Sequence, residues 1–243
     1  MNTVSNYEKM MRASRALFLG YSQDEMIDKW QLRHDENCLY FTYIGQDYAL
    51  NRTTAVISCL GSGTFPADPS AYEAQKRPGE PDMAADEIGP VWNMPDVSAS
   101  FGVSMSMFDV LSRSGPVPEF AGEWKSISAL AGAIGAGHEA VLGNRDKAAK
   151  LSGHRKQMDE ACRRIGGTQM NVGDASWVLP VIELPALTEP ISVWVQFWEA
   201  DEEFPASLKI LWDAAILQFM HYETLWYVMD DVIDYLMQSV LQS

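Results

Sequence analysis

The stretch Ile191-Ser192-Val193-Trp194-Val195-Gln196-Phe197-Trp198 alternates without a break. In an extended chain Ile191, Val193, Val195 and Phe197 fall on one side, and Ser192, Trp194, Gln196 and Trp198 on the other. A helix would scatter both sets around its axis, so this segment is a strand. Trp177 to Leu184 is its partner, and together they form the clearest strand pair in the chain, Ile191 to Glu199 being the second member. One face of the pair suits a core. The other is open to two uses, a second core layer or a stacking wall for a ligand.

The rest of the chain is read outward from this pair. Ser5-Asn6-Tyr7-Glu8 and Ser22-Gln23-Asp24-Glu25 both fit the capping box that starts a helix. Tyr7, Met10, Met11, Leu17 and Phe18 lie near one stripe of the first helix, and Met26, Ile27 and Trp30 point inward from the second. Cys38 to Ile44 is β-branched and aromatic, Gly45-Gln46 can turn, and Tyr48 to Ser58 holds a second extended run, which predicts a hairpin or small meander. A buried helix over Phe101 to Leu111, a brief strand over Glu123 to Ile127 and a charged helix from Leu151 to Ile165 follow, the last stopping at Gly166-Gly167. Two helices are predicted to close the chain. Leu208, Leu211, Trp212, Ala215 and Phe219 recur at helical spacing, as do Leu225, Val228, Val232, Leu236 and Val240, with His221-Tyr222 at the corner between them. The class expected is α+β, small antiparallel or mixed sheet elements packed with N-terminal and C-terminal helices. A single domain is expected to span residues 1–243, with a long Pro/Gly/acidic loop at about 60–100 that Trp92 and Met94 anchor.

The net charge of −15 argues against nucleic acid, whose phosphates call for clustered Lys and Arg. The charge is uneven: residues 144–164 carry seven bases against three acids, while residues 199–243 carry nine acids against one base. That asymmetry suits either a solvated face or the pairing of two copies of the chain. Three widely spaced cysteines, Cys38, Cys59 and Cys162, form no disulfide framework and no CxxC metal pattern. The apolar run Ile210 to Met220 is too short to cross a bilayer and the first residues resemble no signal peptide, so a cytoplasmic protein with no membrane partner is expected. No phosphate loop, HExxH or GxSxG pattern appears, and no cofactor is legible. Met229-Asp230-Asp231-Val232-Ile233-Asp234 spells the DDxxD of diphosphate-binding helices, but only nine residues follow it, and a solvated acidic face accounts for it.

The corner Glu199-Ala200-Asp201-Glu202-Glu203 is the other distinctive feature. Pro205 suits the first turn of a helix, and carboxylates before it complement the helix dipole, so the corner is expected to launch a helix. The alternative is a hard cation held by Glu199, Asp201, Glu203 and Asp213 through oxygen ligands. Beside the corner, Trp194 and Trp198 share a strand face, Trp212 and Trp226 are expected on the next helices, and His221 at the corner between those helices. These five residues would make an aromatic cleft for a flat or cationic ligand.

Asp201-Glu202-Glu203-Phe204-Pro205 running on to Trp212-Asp213-Ala214 resembles the signature of a bacterial and archaeal family, the domain of unknown function 3786. Gly45 with Tyr48, Gly122 with Trp124 and Lys125, and Gly166-Gly167 with Gly173-Asp174 match as well, while the long stretch from Leu60 to Ser100 departs from the family's shorter link. The resemblance implies an α+β domain found largely in anaerobes, with some relatives joined to iron–sulfur modules and no catalytic residue to carry over. Three functional expectations follow: a non-catalytic binding or accessory domain for a small molecule or protein partner, a metal-assisted hydrolase or transferase using the acidic corner, and a self-associating structural protein.

Overall fold

The computed structural model describes residues 6–61, 99–132 and 145–241; most of the loop expected at about 60–100, with Trp92 and Met94, and the capping Ser5 lie outside them. The fold is α+β. Its centre is a nine-stranded sheet in which every pairing is antiparallel. The strands are β1 (Arg33–His34), β2 (Cys38–Tyr43), β3 (Gln46–Asn51), β4 (Ile57–Gly61), β5 (Trp124–Ser126), β6 (Thr168–Gln169), β7 (Ala175–Glu183), β8 (Ile191–Trp198) and β9 (Ser207–Asp213). They run in the order β4-β3-β2-β7-β8-β9-β5, with β1 beside β2 and β6 beside β7.

The front hairpin forms as its sequence predicts. Ile44 and Gly45 both take positive φ, 46° and 65°, the backbone of a type I′ turn that matches the twist of its flanking strands. The hairpin does not stand apart, because β2 pairs with β7 at Thr42↔Glu183 and Tyr43↔Ile182. A register shift between Pro180 and Ile182 marks a bulge, and Ile44 N–H donates to the carbonyl of Val181 inside it at 2.8 Å. Front and back strands thus share one sheet.

Among the described residues the helices are α1 (Asn6–Leu19), α2 (Gln23–Trp30), α3 (Phe101–Ser112), α4 (Arg145–Leu151), α5 (Arg155–Arg164), α6 (Ile216–Phe219) and α7 (Tyr222–Leu241), and residues 127–132 are helical as well. Ser22 caps α2 by accepting from Glu25 N–H at 3.3 Å, as its capping box predicts. They meet the sheet on the side of Ile191, Val193, Val195 and Phe197, all fully buried. Trp177, opposite Val195, donates its Nε1–H to Asp159 of α5 at 2.7 Å, and Tyr43 donates its hydroxyl to Asp231 of α7 at 2.8 Å. Leu225, Val228, Val232, Leu236 and Val240 line the buried side of α7. Among the described residues no helix is long and apolar enough to cross a membrane.

One expected helix is a strand. Residues 207–213 form β9, paired with β8 from Val193↔Trp212 to Trp198↔Ser207. Leu208, Leu211, Trp212 and Ala215 do recur at helical spacing, but Leu208, Ile210 and Trp212 also recur at a spacing of two, and that set is buried. Local spacing left the segment ambiguous, and the open edge of β8 decided it by offering a full ladder of backbone partners. The acidic corner is therefore a β8–β9 loop and launches no helix. Of the stripe read on α1, Met11 and Phe18 are buried while Tyr7, Met10 and Leu17 face solvent.

Candidate functional site

Each acid of the corner has its own local task. Glu199 Oε2 accepts from Ser152 Oγ at 2.7 Å and Gly153 N–H at 2.9 Å, tying the end of β8 to the turn between α4 and α5. Asp201 Oδ1 accepts from the amides of Glu203 and Phe204 at 2.8 and 2.7 Å, an Asx-type turn that shapes the loop. Glu203 is exposed. Asp213, 7% exposed, accepts from the amides of Ala121, Gly122 and Ala215 at 2.8–2.9 Å. The four carboxylates do not converge, and among the described residues no group of three or more His, Cys, Asp or Glu is placed to hold a metal ion.

The expected aromatic cleft divides. Trp194 and Trp198, four residues apart on β8, both point away from the helices and are half-buried. Trp194 Nε1–H donates to Ser176 Oγ at 2.8 Å, and its ring meets Trp124 edge-on with centroids 5.8 Å apart. Trp198 rests on Gly173, where a β-carbon would come within 3.2 Å of the indole, so the glycine is what lets the ring lie flat. Lys209 Nζ stands 5.2 Å from the Trp198 ring centroid. Strand register puts Val178, Leu211 and Lys209 on this same side. Trp212 is fully buried on the opposite side. Trp226 lies on α7, edge-on to Tyr222. His221 precedes α7 at a third location. Trp124 and Lys209 were invisible as site members because only strand register brings them beside Trp194 and Trp198.

At the far end of the sheet side that no described helix covers, called the helix-free side below, β1, β2 and the β7–β8 loop frame an open groove of about 270 Å³. Arg33, Tyr40, Thr42, Glu183, Leu187 and Glu189 stand on its walls. It does not include the tryptophans.

Two further clusters lie on the helical side. The Asp109 carboxylate of α3 accepts from His221 N–H at 2.6 Å and Thr224 Oγ at 2.5 Å, and the His221 ring Nδ1 also contacts it. Asp109 thereby closes the first turn of α7 from another helix, a capping role supplied in trans. Asp231, the middle acid of the DDxxD run, turns inward onto Ser100, the N-cap of α3, Gly102 in its first turn and the Tyr43 hydroxyl. A β-carbon at Gly102 would sit 2.5 Å from Asp231 Oδ2, so the glycine makes room for the carboxylate. Burial pushes Asp231 up to about 7, the charges of Asp234 and Asp230 adding to it against the pull of Tyr43. Tyr43 is raised in turn by its own burial and by that charge. Asp230 and Asp234 face outward to Lys147 of α4, at 3.1 and 4.0 Å.

No curated protein and no solved structure matches the chain. Residues 100–235, from α3 to α7 and more than half of the sequence, match the profile of the family described as "Domain of unknown function (DUF3786)", and the protein belongs to that family.

Proposed function

We propose that the protein is a non-catalytic binding domain whose recognition surface is the helix-free side of the sheet around Trp124, Trp194 and Trp198. The observation that carries this reading is the pair of half-buried indoles on β8, held in place by Ser176 and Gly173 on a side no described helix covers. Fixed aromatic rings offer contact area at small entropic cost. Lys209 over Trp198 supplies positive charge at the rim, so the ligand class that fits is flat and acidic rather than cationic. A protein partner presenting such a group is equally served by this face.

Flavin mononucleotide is a suitable flat, anionic probe, with uncharged lumichrome as its comparison. Flavin mononucleotide should quench tryptophan emission saturably, lumichrome less well, and Trp194→Ala together with Lys209→Ala should remove most of the response. Equal quenching in the wild-type and substituted chains would remove the proposal.

A further inference from the structure

Arg15 lies on the inner side of α1 and is 7% exposed. Its Nε and Nη1 are fully buried and have no hydrogen-bond partner. Burial lowers its pKa, and among the described residues no carboxylate acts on it. A buried guanidinium with no counter-charge is rare, because removing the ion from water is expensive unless a partner replaces the solvent.

The way α1 is seated sharpens the anomaly. Tyr7 meets Phe101 edge-on at 5.2 Å and Phe18 packs on Phe108 at 5.0 Å, so α1 runs alongside α3 with Met11, Arg15 and Phe18 in the seam. Ser104, 2% exposed, stands between those two phenylalanines on the same side of α3. At about 100° per residue, the apolar stripe of α1 is centred roughly 60° away from the arc that is buried. Leu17 remains 63% and Met10 43% exposed while Arg15 is enclosed. Turned onto its apolar stripe, the helix would bury both of those side chains and release the cation. Something must favour keeping the guanidinium inside.

We propose that Arg15 anchors a binding site for a small oxyanion, a phosphate or carboxylate group, in the seam between α1 and α3. The planar guanidinium presents paired N–H groups that match two oxygens of such an anion, and in a desolvated seam that pairing is strong. The 7% of Arg15 that stays exposed gives the anion its approach. The protein is acidic overall, at −15, so the recognition rests on this fork and not on a long-range positive field. Arg15 lies outside residues 100–235, while α3 across the seam lies within them, so the matched stretch supplies only one wall of the site.

Thermal unfolding of the full chain tests the site with sodium phosphate and sodium acetate against sodium chloride at matched ionic strength. One of the two oxyanions should raise the midpoint saturably, by about 5 °C at a hundredfold excess over Kd, with chloride inert. The phosphate and acetate arms then tell which group the seam prefers. Arg15→Met should unfold at a higher temperature than wild type without oxyanion and should lose the oxyanion response. Phosphorus-31 line broadening of inorganic phosphate, or carbon-13 broadening of acetate, reads the site in the wild-type chain alone should the variant fail to fold. No saturable effect in wild type by either method, or an equal effect in Arg15→Met, which would mean an adventitious ion only, overturns the proposal.

Discussion

Asp213 bonds three backbone amides from two separate segments, Ala121 and Gly122 before β5 and Ala215 after β9. Each donor left unpaired in a buried place costs about 1–3 kcal/mol, so Asp213→Ala should lower stability by roughly 3 kcal/mol or more in urea unfolding. Magnesium or calcium should not restore it, since the carboxylate holds the fold together. Asp231 has the opposite sign. Its folded-state pKa, about 7, is above its ordinary value, so the fold favours the protonated acid. The associated stability is fully present below about pH 4, declines as pH rises toward 7 and is absent above it. The span is at most about 4 kcal/mol. Asp231→Asn should therefore flatten the pH dependence and be more stable than wild type at pH 8, with a smaller difference at pH 5. A wild-type profile level between pH 4 and 8 would contradict the burial of that charge.

At the scale of elements, the most constrained connection is Ile44-Gly45. Gly45 has φ +65°, and a β-carbon there would meet Ile165 Cγ2 at 2.8 Å, just past the end of α5. Gly45→Ala should lower stability by about 2 kcal/mol through backbone strain and this contact together, measurable as a drop in the thermal midpoint. Much of the element order was legible before the structure. The front hairpin, α3, β5, α5 and the β7–β8 pair announce themselves through alternation, turn residues or a glycine stop. Residues 207–213 did not, because Ile210-Leu211-Trp212 satisfies both periods and the choice was made by the neighbouring strand. The candidate site was half legible for the same reason. Trp194 and Trp198 share a face by simple alternation, whereas Trp124 and Lys209 join them only through cross-strand register, and Trp212 departs to the core when its helix becomes a strand. Asp231 and Asp109 were hidden because nothing local shows which acid of a polar helix face turns inward.

At the scale of the whole molecule, the described helices gather on one side of the sheet and leave indoles on the other. The basic segment, described from residue 145 to 164, meets the acidic α7 within the same chain. Lys147 pairs with Asp230 and Asp234, and Tyr235 donates its hydroxyl to the Ala161 carbonyl at 2.9 Å. The charge asymmetry thus has an internal use, which weakens it as an argument for two copies docking through these surfaces. What distinguishes the two sides of the sheet is the state of their tryptophans: Trp177 and Trp212 are enclosed, Trp124, Trp194 and Trp198 half-buried. The indole nitrogens of a nitrogen-15-labelled chain can be followed one by one as flavin mononucleotide is added. Resonances of Trp124, Trp194 and Trp198 should move together along one binding curve while those of Trp30, Trp177 and Trp212 stay in place. Movement centred on Trp226, or none at Trp194 and Trp198, would show that the helix-free face is not where this protein recognises its ligand.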